Sequence, residues 1–210
     1  MRPEDFIRAN TALVRDAFVP EIALHLATEI TPIWQATEAW LEAQGVAPPF
    51  WAFAWPGGLA LARLLLDEPC RVRGRRVLDF ASGCGIGAIA AALSGAAVEA
   101  CDIDPLAVAA TRLNAAENGV VVAALLEDLV GVGNRWDVIL AGDICYEAPM
   151  AARILPWLRA MAGQGAEVLL ADPGRAYFSA AGWHEVARCT VPTTRELEDR
   201  EVREVVIVKL

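Results

Sequence analysis

The run WDVILAGDICYE ends an apolar stretch at Gly142 and then sets Asp143, Tyr146 and Glu147 within five residues. Burying carboxylates costs free energy unless they are paired, so this cluster calls for a cation. Carboxylates and aromatic faces both attract an ammonium. A lysine head group presented at Asp143, Glu147 and Tyr146 is the cation these residue types suit. Glu147 also fits a plain helix start, where a carboxylate complements the helix dipole.

Such a cluster needs elements to hold it. RVLDF, AAVEACD, VVVAAL, WDVILA and AEVLLAD have the β-rich, apolar character of buried strands, separated by helical stretches. GAIAAALSG, LAVAATRLNAAEN and residues 147–162 read as helices, the second capped by Asp104-Pro105 and stopped by Gly119. RAYFSAAG reads as a further short helix. Strand–helix alternation predicts a mostly parallel sheet covered on both faces. WHEVARCTV and REVVIVKL are joined only by TTRELEDRE, too short for a comfortable crossover, which predicts an antiparallel pair. Ahead of this core, residues 4–18 read as a helix, and Thr31-Pro32 through Gly45 as another. PPFWAFAW alternates as a strand would, with Trp51, Phe53 and Trp55 on one side, and Gly57-Gly58 opens the helical LALARLLLDE. Trp34, Trp40 and Phe53 suit a hydrophobic cap on the sheet.

Strand RVLDF runs into ASGCGIGAIA, whose Gly83, Gly85 and Gly87 permit a tight turn and close approach of a ligand. The helix that follows offers free N–H groups. Asp102 ends the next strand, nineteen residues after Gly83, where a carboxylate can accept from both hydroxyls of a ribose. An adenosine-containing cofactor is the expectation. Gly83-x-Gly85-x-x-Ala88 also satisfies the dinucleotide fingerprint, so a nicotinamide-dependent dehydrogenase is the alternative. Asp79, just before the loop, would sit badly near a pyrophosphate and well near an amine or sulfonium. The antiparallel C-terminal pair is also foreign to the usual dinucleotide sheet. Both favour S-adenosyl-L-methionine, leaving S-adenosyl-L-homocysteine as product.

VLDFASGCGIGAIA, ACDIDPLAVAATRLNAAENG and WDVILAGDICYE together resemble the seven-strand class I methyltransferases. Asp143-Ile144-Cys145-Tyr146 is similar to the Asp-x-x-Tyr motif of protein-lysine methyltransferases. PPFWAFAWPGGLALARLLLD and ADPGRAYFS narrow the resemblance to the electron-transfer flavoprotein β-subunit lysine methyltransferase family. The resemblance implies a Rossmann-like fold with a seven-stranded, mostly parallel sheet, an antiparallel C-terminal pair and an N-terminal helical extension. It places Asp79, Ala81, Gly83 and Gly85 at the methionine end of the cofactor, Asp102 on the ribose and Asp128 near the adenine. Trp55 would pack on the cofactor from the N-terminal side, and Asp143 and Tyr146 would face the target lysine. Ala81 departs from the family's usual glycine and tightens the space. The implied partner is a protein with exposed lysines, the flavoprotein β subunit first. A ribosomal protein or a small molecule are the other acceptors considered.

Methyl transfer demands a neutral amine, whereas lysine titrates near 10.4. A carboxylate alone stabilises the ammonium. A sulfonium at about 4 Å opposes it by about 4 kcal/mol at an effective dielectric of about 20. Asp143 is therefore expected to orient the amine and Tyr146 to align its lone pair, with no covalent enzyme intermediate.

The bulk composition agrees. A 210-residue chain that is 56% hydrophobic suits one domain, with 1–56 as an N-terminal helical and aromatic extension and 57–210 as the catalytic core. Net charge −9 argues against a grip on nucleic-acid phosphates and would steer basic partners. Five scattered cysteines and two histidines argue against a disulfide framework and a structural zinc site, so no metal is expected. No apolar run spans a membrane, and the charged MRPED start lacks a signal or presequence pattern. A cytoplasmic monomer is the expectation.

Overall fold

The computed structural model describes residues 2–29, 31, 33 and 48–210. Helix α1 (Pro3–Asn10) leads into strands β1 (Ala12–Arg15) and β2 (Ala23–Leu26), an antiparallel hairpin. Strand where a helix is expected over 4–18 has a local cause. The Asn10 amide and Thr11 hydroxyl bond back to the carbonyls of Phe6 and Ile7, closing the helix at 2.8 and 2.7 Å. Beyond them β1 alternates in exposure. Up to Leu26 the extension is thus a helix and a hairpin. The helix expected over Thr31–Gly45, with Trp34 and Trp40, lies outside the described residues.

PPFWAFAW forms a 3-10 turn at Phe50–Ala52 in place of a strand. Pro48 and Pro49 supply no N–H for a ladder, and Trp51 turns in to pack with Ile7, Ile33 and Leu113. Helix α2 (Pro56–Asp67) follows, starting at Pro56.

The remaining elements are β3 (Arg76–Phe80), α3 (Ile86–Leu93), β4 (Ala97–Asp102), α4 (Pro105–Glu117), β5 (Ala123–Leu126), β6 (Val138–Gly142), α5 (Ala148–Gly163), β7 (Glu167–Asp172), β8 (His184–Pro192), α6 (Arg195–Glu198) and β9 (Val202–Lys209). The sheet runs β5-β4-β3-β6-β7-β9-β8. Strands β3 to β7 are mutually parallel, and β9 is antiparallel to both of its neighbours. RAYFSAAG is a series of turns rather than a helix. Gly174 and Gly182 bound it with positive φ, and Tyr177 N–H is drawn across to the Cys145 carbonyl at 3.1 Å.

Two apolar layers cover the sheet. Leu61, Leu65 and Ile89 of α2 and α3 pack on one face, and Trp157, Leu158 and Met161 of α5 on the other. Strand order reverses between β3 and β6, so their carboxyl ends diverge and leave a crevice, the usual ligand position in open α/β sheets.

Candidate active site

A cavity of about 570 Å³ opens at that crevice. Its walls come from the ends of β3, β4 and β6, the turn at Phe50 and the segment after β7. The volume is that of a small-molecule or cofactor site.

On the β3/β4 side the chain turns through Ala81 (φ 54°) and Gly83 (φ 53°) and enters α3 at Gly85 (φ 80°). Left-handed backbone at Ala81 is strained, as an alanine Cβ crowds its own carbonyl there. Asp102 accepts from Gly83 N–H and Asp104 N–H, each at 3.0 Å. Each carboxylate oxygen keeps a lone pair, and Asp102 lines the cavity. Burial pushes its carboxyl above the ordinary range, against those two N–H groups. Ile103, 74% exposed, adds an apolar platform to the same wall. Asp128 also lines the cavity and pairs with Arg153, which holds its carboxyl low.

Asp79 stands behind this wall. Its Oδ2 accepts from Ala88 N–H at 2.8 Å in the first turn of α3, and burial pushes its carboxyl up to about 7. Asp79 and Gly85 do not line the cavity, whereas Ala81 and Gly83 do.

On the β6/β7 side Asp143 sits just beyond the strand with φ 56°. Its Oδ2 accepts from Gly57 N–H at 2.6 Å and Gly58 N–H at 3.3 Å, at the start of α2. That approach requires glycine, since a Cβ at Gly57 would lie 2.6 Å from both Asp143 Oδ2 and the Ala171 carbonyl. Its Oδ1 accepts from Arg175 Nη2 at 2.9 Å. Burial pushes Asp143 up to about 6, opposed by the Arg175 guanidinium. The cation that the Asp143 carboxylate demands is therefore supplied from within the chain.

Tyr146 is 39% exposed at the mouth. Its ring lies 5.5 Å from Phe50, Phe50 lies 6.0 Å from Trp55, and the Arg175 guanidinium lies 5.7 Å over the Trp55 ring. Trp55 and Tyr146 line the cavity, while Glu147 stands at the start of α5 outside it, its side chain making no capping bond. Buried Cys101 and Cys145 have thiols pushed up to about 12 by burial, so neither offers a thiolate nucleophile near neutral pH.

Sequence reasoning misses Arg175, Phe50 and Leu197 as wall residues. The available signal for Arg175 is its place in ADPGR, directly after a strand ending at the same sheet edge as Asp143.

The profile of the ribosomal protein L11 methyltransferase (PrmA) family matches residues 61–167. The electron transfer flavoprotein beta subunit lysine methyltransferase of Xenopus laevis is 43% identical, covering 90% of this chain and 76% of that protein. Its counterpart in Homo sapiens is 38% identical, covering 83% of this chain and 67% of that protein. Among solved structures, ribosomal protein L11 methylase from Lactobacillus delbrueckii subsp. bulgaricus superposes with a TM-score of 0.52 at 23% identity, covering 74% of this chain and 79% of that one. Magnesium protoporphyrin IX methyltransferase from Synechocystis PCC 6803, with bound S-adenosylhomocysteine, gives 0.52 at 19% identity, covering 71% and 79%. These two likenesses concern the fold.

Proposed function

Because the chain belongs to the electron transfer flavoprotein β subunit lysine methyltransferase family, a family of S-adenosyl-L-methionine-dependent enzymes, we propose that it methylates lysines of the electron transfer flavoprotein β subunit. The carrying observation is a single cavity with two unlike halves, one suited to a nucleoside and one to an amine. S-adenosyl-L-methionine supplies an activated methyl group when bound.

The residues present fit that cofactor. Asp102 retains acceptor capacity on the cavity wall for a ribose diol, and the chain beside it turns at Ala81 and Gly83 without bulk. Ile103 offers a flat apolar contact to a base, with Asp128 at the outer rim. Asp79 and Gly85 act one layer back, holding α3 against the turn. Trp55 walls the cavity from the N-terminal side.

At the other half, Phe50, Trp55 and Tyr146 form an aromatic entrance that favours an ammonium and shields it from bulk water. Asp143 is held by two N–H groups and Arg175 on a fixed backbone, so an acceptor is already in place when the amine arrives. Its role is to orient the nitrogen, and that of Tyr146 is to confine the approach. The rate then comes chiefly from alignment and desolvation. Glu147 complements the helix dipole and adds negative charge near the rim.

Labelled S-adenosyl-L-methionine offered to the purified flavoprotein β subunit and to ribosomal protein L11 tests the assignment. Label on lysines of the β subunit, with L11 unlabelled, is expected. Labelling of L11 with the β subunit untouched would assign the chain to the other acceptor.

A further inference from the structure

Arg175 is the one cation bonded to Asp143 among the described residues, and it belongs to a chain of alternating charge. Its Nη2 bonds Asp143 Oδ1 at 2.9 Å and Glu198 Oε1 at 2.6 Å, and its Nη1 bonds Glu198 Oε2 at 3.1 Å. Arg203 Nε holds Glu198 Oε2 from β9 at 2.9 Å. The side chain of Glu198 is 1% exposed, that of Asp143 10% and that of Arg175 19%. The order Asp143, Arg175, Glu198, Arg203 alternates in sign and sums to zero.

We propose that Arg175 is a positioning residue which cancels the charge of Asp143, so that the target lysine meets a neutral hydrogen-bonding wall and enters the reaction as a free amine. The proposal rests on the lysine-methyltransferase reading above. A bare carboxylate in contact with an ammonium stabilises the charged form, and a nearby guanidinium opposes it. Arg175 does both jobs at once. It neutralises Asp143, and it lines the same cavity as a fixed positive charge of its own. The ammonium gives up its proton to solvent at the mouth, and the nitrogen keeps the lone pair that would form the new N–C bond as the donor's S–CH3 bond breaks and its sulfur leaves as a neutral thioether.

Other charged groups bear on Arg175 and on the amine. Asp172 of β7 accepts from Arg175 N–H at 2.6 Å and Gly174 N–H at 2.7 Å through Oδ1. Tyr146 and Glu147 stand at the α5 side, and Asp102 on the β4 side. Burial pushes the Asp172 carboxyl up and the Arg175 guanidinium helps hold it down, so replacing Arg175 loosens that restraint too, while the backbone N–H of residue 175 still reaches Asp172.

The test compares wild type, Arg175→Gln and Arg175→Lys, with the β subunit and S-adenosyl-L-methionine both saturating, following kcat from pH 6 to 10, since kcat reports ionisations in the bound complex. In Arg175→Gln the acidic limb moves up by about one pH unit, an approximately tenfold loss near neutrality that recovers at high pH. Arg175→Lys keeps the limb near its wild-type position. S-adenosylhomocysteine affinity by calorimetry stays unchanged in both. Glu198→Gln serves as the second variant. It leaves Arg175 and Arg203 in excess, so its limb moves to lower pH. A uniform loss at every pH, or a limb that stays put in both Gln variants, overturns the proposal. A wild-type enzyme that places no methyl on lysine removes the premise instead, and the two failures are therefore distinguishable.

Discussion

The two halves of the cavity are built in opposite ways. The β3/β4 half is made of one nearly continuous segment, 79–104, in which strand, turn, helix and strand follow one another. Its carboxylate, Asp102, is held by neighbours within that segment and keeps acceptor capacity for a ligand. The β6/β7 half gathers Gly57, Asp143, Arg175, Glu198 and Arg203 from five places in the chain. Its carboxylate has its charge answered internally. The contrast teaches that nucleoside binding can be encoded locally, whereas tuning an amine requires charges that only the completed fold brings together.

The largest effect that could break this contrast is expected at Gly57. In Gly57→Ala the added methyl meets the Ala171 carbonyl and Asp143 Oδ2 at 2.6 Å and Asp143 N at 2.9 Å, two of them backbone atoms that cannot swing aside. The cost is about 2–3 kcal/mol of stability by denaturant melts. Methyl transfer falls by about a hundredfold or more as Asp143 is displaced. Full activity in this variant would mean that the α2–Asp143 contact is incidental.

Asp102→Ala sharpens the other half. Loss of charge-assisted bonds worth about 1.5–3 kcal/mol weakens S-adenosylhomocysteine roughly ten- to a hundredfold by calorimetry. The melting temperature of the ligand-free protein changes much less.

A smaller effect separates Asp79 from both halves. Burial raises its carboxyl to about 7 in the fold, against about 3.9 when unfolded. A raised carboxyl contributes stability fully below about pH 4, and that contribution is lost as pH rises through about 7. Thermal melts from pH 4 to 8 should therefore decline, and Asp79→Asn, which keeps an acceptor for Ala88 N–H, should flatten part of the slope. The smallest effect belongs to Ala81→Gly. Relief of strain at φ 54° is worth about 1–2 kcal/mol, offset by about 0.4–1 kcal/mol of added unfolded-state entropy. A net gain of a few tenths to about 1 kcal/mol is expected in the same melts.

The same contrast explains what the sequence discloses. The parallel sheet, the Asp104-Pro105 helix start, the glycine turn and the antiparallel C-terminal pair are all legible, because each depends on neighbours within a few residues. Aromatic alternation in PPFWAFAW misleads, since period two is also compatible with a proline-led turn that buries Trp51 and exposes Phe50. The stretch 4–18 misleads because two side-chain bonds at Asn10 and Thr11 end the helix early. Arg175 is invisible as the partner of Asp143 for a different reason. Thirty-two residues separate them, and the link exists only once β6 and β7 lie side by side.

The most direct measurement of the division between the two halves is calorimetric titration of S-adenosylhomocysteine into wild type and Asp143→Asn. Equal affinity, with methyl transfer to lysine lost in the variant, is the predicted result. Loss of S-adenosylhomocysteine binding in Asp143→Asn on the scale expected for Asp102→Ala would contradict it, placing the cofactor where the amine is assigned.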